Sequence, residues 1–263
     1  MEGLAGKTVV VTGAARGQGA AEAAALSRLG VDVVATDVLE EEGAQLARSL
    51  EDAPGSVVFR RLDVSEPGDW QELGEWLAAR EPPLHGLVNN AGIAHRARID
   101  AVTVEGWNRT LAVNLTGALL GMQTCVPFMT AGGSIVNVGS VAALIAYQSV
   151  AYTASKWALR GLSRVASLEY GPRGIRVNLV NPGYIETPIL ADASPAFLQA
   201  SLELTPAGRS GTPEEVASLV TFLLSDASAY VNGAEISIDG GYAAHGGAKL
   251  MVDALDRAAK EQA

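Results

Sequence analysis

The chain has one cysteine, Cys125, in 263 residues. It can close no internal disulfide, and the apolar helical run around it predicts an inert buried thiol. Three histidines and that cysteine fall at no metal-ligand spacing, so metal-dependent chemistry has no candidate site. Positive charge is short too. Nineteen Lys and Arg stand against 29 Asp and Glu, a net charge of −10, whereas phosphate-backbone binding relies on clustered Lys and Arg; nucleic acid is therefore not an expected partner. No apolar stretch reads as long enough to span a bilayer, so no membrane partner is expected. Met1-Glu2-Gly3-Leu4 lacks the basic start and extended apolar core of a signal peptide, which makes a cytoplasmic location the expectation. Linkers, internal repeats and low-complexity tracts are also missing.

What is present describes an α/β protein. A hydrophobic content of 48% against 18% charged excludes general disorder, and 263 residues suffice for a large core in one unit. Apolar strand-like runs near 7–12, 31–36, 57–60, 86–89, 133–138, 175–180 and 235–238 alternate with helical patterns. The helices are expected at 18–29, 40–51, 68–80, 105–130, 150–171 and 213–225. This alternation predicts βαβ units in one doubly wound parallel sheet over 1–247, its crevice at the carboxyl ends of the strands. A helical tail follows at 248–263, where Leu250, Met251, Ala254, Leu255 and Ala258 make an apolar stripe, with Asp253, Asp256, Arg257 and Lys260 largely on other faces.

Two motifs carry chemistry. Tyr152 and Lys156 lie four apart in a run of good helix formers, so both side chains share one helix face. A lysine ammonium nearby favours phenolate over phenol, and the spacing predicts a Tyr152 pKa brought from ~10 towards neutrality, fit for proton exchange with an alcohol or ketone. Taken alone, the pair reads more readily as a solvated lysine packed over a tyrosine ring. The other motif follows the first strand: Thr12-Gly13, then Gly17 and Gly19, opening a helix rich in alanine and leucine. Glycines there let backbone approach a pyrophosphate, while the helix N-terminus offers free N–H groups and a positive dipole end. The context suits a dinucleotide.

With Asp63-Val64, Asn89-Asn90-Ala91-Gly92, Asn114, Ser140 and Asn181-Pro182-Gly183 with Thr187, in that order from Leu4 to about Tyr242, the chain resembles the short-chain dehydrogenase/reductase family. Within it, Ala15-Arg16-Gly17, Ser155-Lys156-Trp157 and Asp239-Gly240-Gly241 look most like bacterial 3α(20β)-hydroxysteroid dehydrogenases. The resemblance implies a Rossmann domain, an NAD-dependent oxidoreductase interconverting a secondary alcohol and its ketone, and a homotetramer. It implies Tyr152 as proton carrier, Lys156 as the partner that lowers its pKa and binds the ribose, Ser140 as donor to the substrate oxygen, and Asn114 as holder of a water path to Lys156. Ser140 follows a strand, whereas Ser149 lies too near Tyr152. Twelve residues separate Ser140 from Tyr152, which predicts a short loop.

The cofactor is expected to be held by Gly13, Arg16, Gly17, Gln18 and Gly19 at the glycine turn. Asp63 and Val64 would hold the adenine; Asn90, Ala91, Gly92 and Val113 would lie along the adenosine side. Pro182, Gly183, Ile185 and Thr187 would hold the nicotinamide. Asp37, closing the second strand, suits ribose hydroxyls and repels a 2′-phosphate, which argues for NAD; Arg16 is the residue that would serve NADP. Several positions keep a second reading. Thr187 suits a helix cap before Pro188, Asn89 and its neighbours suit a structural role, and Gln18, standing where relatives carry an aliphatic residue, suits a solvated helix start. Ile93, Ala94, Val141 to Ile145, Tyr184 and 189–204 would border a mostly apolar substrate. A hydroxysteroid leads, ahead of a terpene or small cyclic alcohol or a 3-oxoacyl thioester. Arg96 and Arg98 suit an anionic group or solvent. A non-catalytic NAD sensor is the alternative of a different class, though such proteins typically lack the Tyr and Lys retained here.

Overall fold

The computed structural model describes residues 2–81, 83–188 and 194–261, with side chains through Arg257. Its strands are β1 (Thr8–Thr12), β2 (Asp32–Asp37), β3 (Val57–Arg61), β4 (Leu84–Asn89), β5 (Met129–Val138), β6 (Arg176–Pro182) and β7 (Glu235–Ile238). They form one parallel sheet of order β3-β2-β1-β4-β5-β6-β7. Helices cover both faces, so the inner strands are apolar continuously rather than in alternation: in β1, Val9 and Val11 pack into one core while Val10 packs into the other.

The first core lies under α1 (Gly17–Arg28), α2 (Glu40–Ser49) and α8 (Pro213–Leu224), with Leu26, Val216 and Val220 at its centre. The second lies under α3 (Pro67–Ala78), α4 (Val104–Leu111), α5 (Gly117–Cys125) and α6 (Val150–Tyr170), around Trp70, Met122 and Ile135. Buried Cys125, pushed up to about 12 by burial, sits there as the expected inert thiol. The strand order reverses between β1 and β4, opening a crevice at their carboxyl ends.

Three expectations need correction. The helix placed at 105–130 is broken: a π-helical turn, Ala112–Thr116, separates α4 from α5, and a 3₁₀ turn, Val126–Phe128, leads into a β5 that starts at Met129 rather than 133. That whole stretch, Val104–Phe128, is long and apolar enough by length and composition to cross a membrane. Here Val113, Met122, Cys125 and Val126 are buried in the core against the sheet. The third is a helix that went unassigned, α7 (Pro195–Leu204), capped by the Ser194 hydroxyl accepting from Phe197 N–H at 3.3 Å. Positions 189–193 of the expected substrate border lie outside the described residues. The tail forms α9 (Ala248–Glu261), while Ala258 and Lys260 lie beyond the described side chains.

Candidate active site

Tyr152 and Lys156 sit near the start of α6, Tyr152 half-buried and Lys156 buried at the end of the crevice. Lys156 Nζ lies 5.7 Å from the Tyr152 ring centre and donates to Val138 O at 2.7 Å. The short loop after β5 brings Ser140 back to α6, where its hydroxyl hydrogen-bonds the Tyr152 phenol. Ser140 is itself fixed: its N–H donates to Asn181 Oδ1 at 3.1 Å and its Oγ accepts from Ala142 N–H at 3.2 Å. Ser149 serves the Tyr147 phenol instead, so Ser140 is the serine at the site.

The electrostatics differ from the expectation. Burial pushes Tyr152 above the ordinary phenol range; the Ser140 hydrogen bond opposes this and the nearby Tyr147 adds to it. Burial also brings Lys156 down to about 8. The ammonium therefore does not draw Tyr152 towards neutrality in this arrangement, because desolvation acts against the charged form of both groups and Lys156 is turned to a backbone carbonyl. The hydrogen bond from Ser140 is the interaction that favours phenolate.

The π-helical turn aims Asn114 inward. Its amide donates to Ile93 O and Ser155 Oγ, both at 3.0 Å, and its Oδ1 accepts from Ile93 N–H at 2.8 Å. Asn114 does not touch Lys156. A Cβ placed on Gly92 would lie 3.4 Å from Asn114 Oδ1 and 3.6 Å from Lys156 Nζ, so both polar atoms face the same glycine.

A cavity of about 420 Å³ runs over the carboxyl ends of β1, β2 and β4. Gly13, Arg16, Gly17, Gln18, Asp37, Asp63 and Val64 line it, with Asn90, Ala91, Gly92, Val113 and Thr187 further along and Tyr152 and Lys156 at one end. Gly13 has φ +65°, and a Cβ there would come within 2.8 Å of Ala91 Cα. Gly19 lines neither this cavity nor the next; a Cβ on it would strike the Gly13 carbonyl, so its role is close packing of α1 on the turn. Asn90 turns its amide onto Thr12 O (2.9 Å) and Gly13 O (3.1 Å), holding the glycine turn. Asn89 pairs with Asn137 Oδ1 at 2.8 Å inside the sheet, which is the structural role.

The acidic residues are held in place. Asp37 accepts from Ala15 N–H at 3.0 Å and Leu39 N–H at 3.1 Å. Burial pushes the Asp63 carboxyl up, but Ser65 and Arg109 outweigh it and hold it below its ordinary range. Thr187 Oγ1 donates to Ile185 O at 3.3 Å; the segment it would cap, 189–193, lies outside the described residues.

A second cavity, about 130 Å³, opens on the other side of Tyr152. Ser140, Pro182, Gly183, Ile185, Thr187 and Gln18 line it towards the first cavity, and Val141, Ala142, Tyr184 and Phe197 close it. Its aromatic wall is a chain of edge-to-face contacts: Tyr152 to Tyr147 at 6.4 Å, Tyr147 to Phe197 at 6.2 Å and Phe197 to Tyr184 at 5.7 Å. Arg96 borders both cavities, while Arg98 donates to Gln148 at 3.1 Å. Phe197 falls within the expected 189–204 substrate border. Sequence reasoning missed Tyr147, Arg109 and the Asn181 contact, and of these Asn181 alone had a signal, in Asn181-Pro182-Gly183.

The sequence and the fold are shared with known proteins. A family model described as Enoyl-(Acyl carrier protein) reductase matches residues 13–243. The chain is 39% identical to trans-4-hydroxycyclohexanecarboxylate dehydrogenase of Sinomonas cyclohexanicum, over 95% of this chain and 97% of that one. It is 42% identical to 3-alpha-(or 20-beta)-hydroxysteroid dehydrogenase of Mycobacterium tuberculosis, over 90% of each. A blue fluorescent protein from a metagenomic library, solved with NADPH, superposes with a TM-score of 0.87 at 32% identity, over 92% of this chain and all of that one. The chain belongs to the short-chain dehydrogenase/reductase family. It is an oxidoreductase that interconverts a secondary alcohol and its ketone with a nicotinamide cofactor.

Proposed function

We propose that this enzyme uses NAD to interconvert a single-ring alicyclic alcohol and its ketone. The observation that carries the reading is the position of Tyr152, in the wall shared by the long polar cavity and the small aromatic one. The cradle suits a dinucleotide: Gly13 and Gly17 take the left-handed backbone, φ +65° and +60°, that lets the turn fold along the cavity, and α1 starts at the cavity floor. When bound there, the nicotinamide accepts or supplies the hydride at the carbinol carbon.

The chain's own residues do the rest. Tyr152 takes the hydroxyl proton during oxidation and returns it during reduction. Ser140 turns its single hydroxyl hydrogen to the substrate oxygen as charge develops there. Lys156 holds ribose hydroxyls, and Asn114 orders the proton route past Gly92. Asp37 supports NAD over NADP, because its fixed carboxylate repels a 2′-phosphate. In kcat/KM, NAD is expected to lead NADP, and Asp37→Ala to narrow the gap by freeing Arg16 to pair with the phosphate. A wild type that prefers NADP would refute the assignment.

Size supports the substrate class. A cavity of ~150 Å³ is what accepts a benzene ring, and the one here is about 130 Å³ with aromatic walls. Arg96 at its edge suits a carboxylate on the ring. A hydroxysteroid is the second reading: an apolar cleft of about 400 Å³, sharing Tyr184 and Thr187 with the small cavity, supplies room for further rings. An NADH absorbance assay across cyclohexanones, steroid ketones and 3-oxoacyl thioesters decides. Highest kcat/KM is expected for the one-ring ketones; a steroid in first place favours the second reading, and no turnover at all favours a sensor.

A further inference from the structure

Two polar groups on α1 are buried without partners, one turn apart. Gln18 Oε1 and both carboxyl oxygens of Glu22 are closed to solvent, and none has a hydrogen-bond partner among the described residues. Glu22 is fully buried, beside a cluster in which Ala23, Leu26, Val216 and Val220 offer only apolar surface. Folded proteins seldom leave such groups unmet, because each unpaired buried polar atom is costly. Residues four apart on a helix lie side by side. Burial pushes Glu22 up to about 8, so near neutral pH it is mainly a carboxylic acid, with one O–H to donate. Gln18 Oε1 is an acceptor that needs one.

The next step rests on the reading that the long cavity binds a nicotinamide dinucleotide. Gln18 lines that cavity and the small one, on the side of Ile185 and Thr187. We propose that Glu22 donates to Gln18 Oε1, and that this turns the Gln18 amide N–H₂ outward to donate to the carboxamide oxygen of the bound nicotinamide. Glu22 is thus a positioning residue acting through Gln18. The glutamine at the glycine turn gains a purpose, and the buried acid behind it becomes its support.

Calorimetric titration with NADH and with ADP-ribose, which lacks the nicotinamide, tests this on the intact protein. Gln18→Leu and Glu22→Leu should each weaken NADH binding by about tenfold, the scale of a lost buried hydrogen bond, and ADP-ribose binding by far less. Glu22→Gln keeps an N–H donor and should stay within about threefold of the wild type. The double Leu variant should lose no more than Gln18→Leu alone, since the two residues act in series. Unchanged NADH affinity in Glu22→Leu, or single losses that add in the double variant, would overturn the relay. Equal loss of ADP-ribose would overturn the nicotinamide contact. A wild type that binds no NADH would instead sink the cofactor reading on which the relay rests.

Discussion

At the residue scale the site is governed by burial. Tyr152 and Lys156 are both desolvated, which raises the phenol and brings Lys156 down to about 8. Alcohol oxidation needs Tyr152 as the phenolate. Its kcat/KM should rise with pH into the alkaline range and ketone reduction should fall over the same range; flat profiles between pH 6 and 10 would contradict this. Tyr152→Phe should cut turnover by at least about 10²-fold, the usual scale for a positioned acid or base, with NADH binding largely kept. Near-normal turnover in that variant would remove Tyr152 from its role. Glu22 makes a separate prediction about stability. Its folded pKa, about 8, lies above the ordinary carboxyl value of 4.5, so the folded state holds the proton longer. Its contribution is fully present below pH 4.5 and is lost as pH rises to 8. Glu22→Leu should therefore raise Tm more at pH 8 than at pH 5, and thermal melts at the two values check the sign.

At the element scale, the π-helical turn between α4 and α5 is the feature that composition concealed. A regular helix over 105–130 satisfies the apolar pattern, yet the extra residue per turn is what aims Asn114 at Ile93 and Ser155. Asn114→Ala removes three hydrogen bonds and strands the Ile93 backbone groups. A loss of about 2–3 kcal/mol in stability is expected, with kcat falling more than NADH affinity. Denaturant unfolding and single-turnover rates test both parts, and a variant of wild-type stability would show that the clamp carries no energy. The strands were more legible, because burial on both faces imposes unbroken β-branched runs such as Thr8-Val9-Val10-Val11-Thr12. Helix α7 was not: its Ser194 cap is a local signal, but its place over the small cavity comes from Phe197 packing on Tyr147 and Tyr184.

At the scale of the whole molecule, assembly is the open proposal. Much of the apolar surface of α8 is consumed inside the fold, where Val220, Leu223 and Leu224 are fully buried. Leu219, Phe222, Ile236 and Ile238 keep only part of theirs. The tail is different. On α9, Leu250, Met251, Val252 and Leu255 are 50–71% exposed, and an apolar stripe of this kind calls for a partner surface. A homotetramer with α9 at a subunit contact is expected. Light scattering on the full chain and on one ending at Gly247, with ketone turnover beside it, tests this: a monomeric full chain sinks the assembly, and an unchanged truncated enzyme sinks the role of the tail.

Sequence alone determined the sheet, the glycine turn and the chemical identity of the site, because βαβ order, a glycine-rich strand-to-helix turn and a Tyr–Lys pair one helical turn apart are local patterns. Tertiary structure decided what those residues are worth. Whether Lys156 lowers the phenol or is itself lowered depends on how much water the fold removes from both, and no spacing of residues encodes that. The same holds for Ser140 finding Asn181, for the aromatic wall that sizes the substrate, and for the Gln18 and Glu22 side-chain oxygens left buried without partners: these are contacts between distant segments or products of burial, and they exist only once the chain has closed.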